Sequence, residues 1–228
     1  MLRMAHREWE ALPVLPRVTL EREPEGRLRY LEEDEAIRLL GACTESKNPH
    51  LHAIVTVALN TGMRRGEILG LAWERVDFAR GAIRLELTKN GKRREIPMNQ
   101  AAYDALSAIP GQKAEGPVFR RRDGAAWGQI RTGFEQACKR ARIEDFVFHD
   151  LRHTFASWLV MRGRPLKEIQ ELLGHRDFKM TLRYAHLAPG RLREAVASLE
   201  DFSTKSAHSG VDSPQVSCKS ARARSSVG

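Results

Sequence analysis

The 228 residues suffice for one good-sized domain with ragged ends. A content of 42% hydrophobic and 29% charged residues suits a globular core. No apolar run approaches the roughly 20 residues that span a bilayer, which excludes a membrane protein. The 38 Lys and Arg against 29 Asp and Glu leave a net charge of +9. That excess favours a polyanionic partner, because Lys and Arg gain affinity for nucleic acid by releasing its counterions.

Residues 1–26 set Pro13, Pro16, Pro24 and Gly26 among alternating charges and read as a linker or the remnant of a preceding domain. Arg3, Arg7 and Glu8 interrupt the apolar stretch a secretory signal would need, so a cytoplasmic location is expected. Cys43, Cys138 and Cys218 are odd in number and lack CxxC spacing, against both a disulfide framework and a zinc site. "LEEDEAIRLLGAC" predicts a helix with an acidic first turn and a stop at Gly41. "LHAIVTVALNTG" predicts a second, packed helix, and "TGMRRGEILGLAW" a tight turn feeding a short one.

In "AIRLELTKNGKRREIPM" the period changes to two, and Asn90-Gly91 is a strong hairpin signal. Lys89 and Lys92 flank that turn and make its tip cationic. Helical spacing resumes in "NQAAYDALSAI", with Asn99 as N-cap, and in "WGQIRTGFEQACKRARI", with Trp127, Ile130, Phe134, Ala137 and Ala141 on one face. The fold class is mainly α with a small antiparallel β-hairpin or sheet, an α+β arrangement.

"FHDLRHTFASWLV" predicts a helix with Leu151, Phe155, Trp158 and Leu159 on one stripe and His149, Arg152, His153 and Ala156 opposite. The second side, at a helix N-terminus, suits a phosphate or carboxylate as well as it suits a solvated surface. "RPLKEIQELLGH" starts the next helix with Pro165 and stops it at Gly174, so that His175 lies just past the end. "TLRYAHL" and "GRLREAVASLEDF" supply two further helical pieces. Residues 203–228 form a Ser-rich basic tail expected to be disordered.

Taken in order, "TGMRRGEIL", "TKNGKRREIPM", "HDLRHTFAS", "LLGH" and "TLRYAHL" closely resemble the catalytic domain of the tyrosine recombinase, or phage integrase, family. The resemblance spans residues 27–202. It implies site-specific DNA cleavage and rejoining through a 3′-phosphotyrosyl intermediate, without metal or other cofactor, at Arg64, Lys89, His149, Arg152, His175 and Tyr184.

The chemistry asks for these groups. Guanidinium forks match the non-bridging oxygens of a phosphodiester, where charge builds during attack. Arg64 and Arg152 are the candidates; the family pattern TG-x-R favours Arg64 over Arg65. Glu67 would hold Arg64 or cap its helix. Tyrosine, with a pKa of about 10, is scarcely ionised at neutral pH. Tyr184 therefore needs a base or a stabilised phenolate, with His149 and His175 dividing acceptance of the proton and contact with phosphate in an unresolved way. Lys89 suits a general acid for the leaving 5′-oxygen, while Lys92, Arg93 and Arg94 read as DNA-backbone contacts. His149 and His153 stand at the i and i+4 spacing of a zinc helix, but Asp150 replaces the needed glutamate and no third ligand appears.

The expected partner is double-stranded DNA, bound by a homo-oligomer that is a tetramer at a synapse, with a DNA-bending protein as a possible accessory. Relatives precede this domain with a helical core-binding domain of about a hundred residues; here "MAHREWEALPVLPRV" stands at most as a remnant. The alternatives are a truncated DNA-binding remnant without autonomous recombination and a topoisomerase-like enzyme that nicks and reseals. Target site, directionality, and cis or trans docking of the C-terminal helix are not written in the sequence.

Overall fold

The computed structural model describes residues 28–85, 93–111, 115–121 and 123–190, with 196, 197 and 199. The expectations for 1–26, for 203–228, for Lys89 and Lys92 at the hairpin tip, and for most of "GRLREAVASLEDF" fall outside the described residues.

Helix α1, Glu33–Thr44, opens on Glu33, Asp34 and Glu35, whose charges complement the helix N-terminus. The Glu35 carboxylate accepts the Glu32 N–H at 3.0 Å and pairs with Arg29 at 2.6 Å. The helix runs through Gly41, which does not stop it. Gly41 is exposed with open space around it, so its only penalty is propensity, about 1 kcal/mol. Helix α2, Leu51–Thr61, is buried almost all round because α1 and two later helices, α4 (Gln100–Ser107) and α6 (Asp150–Met161), pack against it. It is the axis of the domain. A short helix α3, Arg65–Leu69, follows.

Strands β1 (Val76–Asp77), β2 (Ala82–Leu85) and β3 (Arg94–Pro97) form an antiparallel meander in chain order. Ile83 faces Val76 on one side and Ile96 on the other, while Arg84 is exposed, which realises the alternation of the predicted hairpin. β1, two residues long, is too short to leave a period. Asn99 caps α4 as expected, its Oδ1 accepting the Ala102 N–H at 3.0 Å. Helix α5, Arg131–Arg140, begins later than predicted: Trp127 precedes it and donates Nε1–H to the Gln129 carbonyl at 2.9 Å.

The largest difference concerns α6. Leu151 is buried and His149 exposed as expected, but Arg152, His153 and Ala156 are deeply covered, whereas Phe155, Trp158 and Leu159 are only half-buried. Its neighbours explain this. The helix lies between α2 on one side and, on the other, helix α7 (Leu166–Leu173) and the 3₁₀ turn Ala185–Leu187. Ala156, Val160, Ile169, Leu173 and Tyr184 make a small second core there, separate from the main one around α2. A four-residue helix α8, Lys179–Leu182, joins α7 to that turn. Among the described residues no helix is long and apolar enough to cross a membrane.

Candidate active site

Two left-handed glycines aim the site. Gly62, at φ 62°, ends α2 and turns the chain so that Arg64 becomes the N-cap of α3. A Cβ at 62 would strike the Phe155 ring, so both the backbone conformation and the space call for glycine. Gly174, at φ 63°, ends α7, and a Cβ there would strike the Arg94 guanidinium. Both turns expose carbonyls at a helix C-terminus, where cations are favoured.

Arginines take those carbonyls. Arg152, only 4% exposed, donates from Nη1 to the Gly62 carbonyl at 2.6 Å and from Nη2 to the Leu173 carbonyl at 2.5 Å. Arg64 reaches the next carbonyl, Gly174, from Nη2 at 3.5 Å. The two guanidinium groups predicted to grip one phosphate therefore converge on consecutive carbonyls. Arg65 is exposed, which leaves Arg64 as the one turned inward. Glu67 fills both roles foreseen for it: Oε2 accepts the Arg64 backbone N–H at 2.8 Å, and Oε1 accepts Arg64 Nη1 at 2.9 Å.

Arg94 departs from the expected backbone contact. Its side chain is 12% exposed and turns into the site, with Nη2 donating to Glu67 Oε2 at 2.9 Å and Nη1 to the Leu173 carbonyl at 2.8 Å. The strand period could have shown this, because Arg94 stands two residues before buried Ile96 and so shares its face. Arg93 is exposed.

The histidines gather beside this cluster. His175 lies past the α7 terminus with Nδ1 2.9 Å from Thr181 Oγ1. His149 stands at the N-terminal boundary of α6 without a side-chain capping bond, its ring edge-on to that of His153 at 5.0 Å. His153, set aside in the sequence as half of a false zinc pair, places Nδ1 2.6 Å from the Tyr184 hydroxyl. Tyr184 is 1% exposed, its ring in the second core and its hydroxyl on this imidazole. Among the described residues no three His, Cys, Asp or Glu side chains come together as metal ligands.

Electrostatics follow from crowding and from positive neighbours. Burial, then Arg64 and Arg94, lower Arg152 to about 9. Burial foremost, then the surrounding cations, lower His175 to about 4 and His153 to about 3. His149 is also lowered, by desolvation and then Arg152; although its ring meets solvent, the protein packed round it excludes enough water to disfavour its charge. Burial raises the Tyr184 phenol, against the opposing pull of Arg183 and Arg152. Arg64 and Arg94 share the Glu67 carboxylate while Arg152 rests on neutral carbonyls beside them, so the cluster has a surplus of positive charge.

This arrangement has relatives. Residues 29–191 match the model of the phage integrase family. The chain belongs to that family. It is 37% identical to the integrase of Salmonella phage P22 over 220 residues, covering 89% of this chain and 55% of that protein. It is 38% identical to the shufflon-specific DNA recombinase of Escherichia coli over 196 residues, covering 84% and 49%. Among solved structures it resembles the catalytic domain of bacteriophage HP1 integrase, with TM-score 0.62 and 36% identity over 75% of this chain and 95% of that one. The chain spans about half the length of the curated relatives it matches. Its described part is thus a tyrosine recombinase catalytic domain of the phage integrase family, mostly helical with one small antiparallel sheet.

Proposed function

We propose that this phage integrase chain is a site-specific DNA strand transferase. The observation that carries the reading is the convergence of Arg152 and Arg64 on the adjacent carbonyls of Leu173 and Gly174, beside a tyrosine hydroxyl held by an imidazole. A backbone phosphate of duplex DNA supplies the anion that the surplus of guanidinium charge lacks. The relative in Escherichia coli, named as a DNA recombinase, supports DNA as the substrate.

In this mechanism Arg64 and Arg152 hold the non-bridging oxygens and stabilise the charge that develops there. The Tyr184 oxygen attacks phosphorus, a 3′-phosphotyrosyl bond forms, and the bond to the 5′-oxygen breaks. His153, neutral at physiological pH, holds the phenolic hydroxyl through Nδ1 in its Nε2–H tautomer, and the entering phosphate anion offsets the nearby cations and raises its basicity so that it accepts the proton. His149 and His175 contact phosphate oxygens, and Lys89 protonates the departing 5′-oxygen. A second 5′-hydroxyl reverses the step, with the ester keeping the bond energy. Because Tyr184 is covered in this state, α8 and the 3₁₀ turn must shift to bring its hydroxyl onto phosphorus. Exposed Phe178, Met180 and Leu182 on that segment leave it lightly held. A homo-oligomer, tetrameric at the synapse and aided by a DNA-bending protein, belongs to the same proposal.

The test is covalent capture. Nicked duplexes with a randomised core are incubated with the protein, and protease-sensitive adducts are isolated and sequenced. Wild type should capture a defined sequence and Tyr184→Phe none; capture by Tyr184→Phe, or none by wild type, sinks the proposal.

A further inference from the structure

Arg94 lies on β3, directly after the hairpin tip, and is far from solvent for a residue of a DNA-binding face. Its two terminal nitrogens join groups that the clamp arginines also use. Glu67 Oε2, which takes Arg94 Nη2, belongs to the carboxylate that holds Arg64. The Leu173 carbonyl, which takes Arg94 Nη1, is the one that holds Arg152. Arg64, Glu67, Arg94, the Leu173 carbonyl and Arg152 therefore form one unbroken chain of charge-assisted bonds.

Resting on the strand-transfer reading, we infer that Arg94 is a positioning residue, a strut that sets the spacing and orientation of Arg64 and Arg152 and ties the hairpin to the phosphate clamp. Two further observations agree. Placing a third cation beside two others is unfavourable and needs a compensating role. Burial, together with Arg64, does lower Arg94 from its ordinary value, while Glu67 opposes this, and its Nε has no partner. Gly174 lacks a side chain where one would displace the Arg94 guanidinium, so the α7 terminus is shaped around the strut. Arg94 bonds both the carboxylate that holds Arg64 and the carbonyl that holds Arg152, so it acts on the clamp through those shared groups. A small displacement of catalytic groups is enough to cost about a hundredfold in rate.

The experiment measures single-turnover adduct formation on the captured duplex at saturating DNA, with affinity measured separately across salt. Arg94→Met, which keeps the volume and removes the donors, should slow the reaction about a hundredfold while leaving DNA affinity within about twofold. Arg94→Lys should recover part of the rate. Gly174→Ala, which pushes the guanidinium aside without removing it, should slow the reaction in the same way and serves if Arg94→Met does not fold. A wild-type rate in Arg94→Met overturns the inference. So does weakened affinity with a salt dependence reduced by about one phosphate, which would make Arg94 a DNA contact. If wild type captures no duplex, the strand-transfer reading falls, and a double-mutant cycle decides Arg94 separately: the urea-midpoint losses of Arg94→Met and Glu67→Gln should be non-additive, and additive losses overturn the strut.

Discussion

The Tyr184 hydroxyl lies 2.6 Å from His153 Nδ1, while its ring packs in a core with Ala156, Val160, Ile169 and Leu173. The proposed nucleophile is therefore stored as a packed, hydrogen-bonded phenol. Removing its oxygen should abolish covalent adduct and strand a buried ring nitrogen, at a cost of about 1–3 kcal/mol. Urea unfolding of Tyr184→Phe should register that loss with an unchanged slope, because the ring still packs. An unaltered midpoint would mean that the contact is not formed in solution.

His153→Asn keeps an acceptor near the phenol but removes the imidazole as a base. We expect it to lower the adduct rate about a hundredfold or more. His149→Asn should have the smaller effect on proton transfer, because its contact is with the His153 ring rather than with Tyr184. The reverse order in single-turnover rates would return the base role to His149.

Stability should fall in mild acid. His175 and His153 are held at about 4 and about 3 in the folded chain, below the ordinary value near 6.5 of an unfolded one. The unfolded state thus binds more protons between these limits. The stabilisation is complete above about pH 6.5 and is lost as pH drops toward 4. Phosphate or sulfate, by occupying the cationic site, should offset the loss. Urea midpoints at pH 7.5 and 5, with and without the anion, provide the measurement; a midpoint that rises on acidification would contradict the assignment.

Gly62→Ala forces a left-handed conformation on an L-residue and drives its Cβ into Phe155. The backbone term alone is about 1–2 kcal/mol. Because the Gly62 carbonyl holds Arg152, the variant should also react more slowly at saturating DNA. Normal turnover in a folded but destabilised variant would separate the turn from the clamp.

Lys89, proposed as the general acid, has a chemical test. A duplex with sulfur as the 5′-bridging atom loses its leaving group without a proton, so it should restore cleavage to Lys89→Ala while leaving Tyr184→Phe inactive. Failure to restore it would move the acid elsewhere.

Order and spacing along the chain were enough to name the family and to single out Arg64, His149, Arg152, His175 and Tyr184, because each sits on a short local motif tied to a helix end or a glycine turn. Glycines 62 and 174 and the Asn99 cap were legible for the same reason: turns and caps are decided by neighbours in sequence. What the sequence could not convey is which faces meet. α6 has two usable sides, and only the approach of α7 and the Tyr184 turn makes the polar side the buried one. His153 and Arg94 acquired their places in the same way, through partners 31 and 79 positions away, Tyr184 and Leu173. Local periodicity specifies a helix or a strand, but the identity of the group pressed against it is a property of packing, and in this protein packing selects the tyrosine's partner and the link between the two clamp arginines.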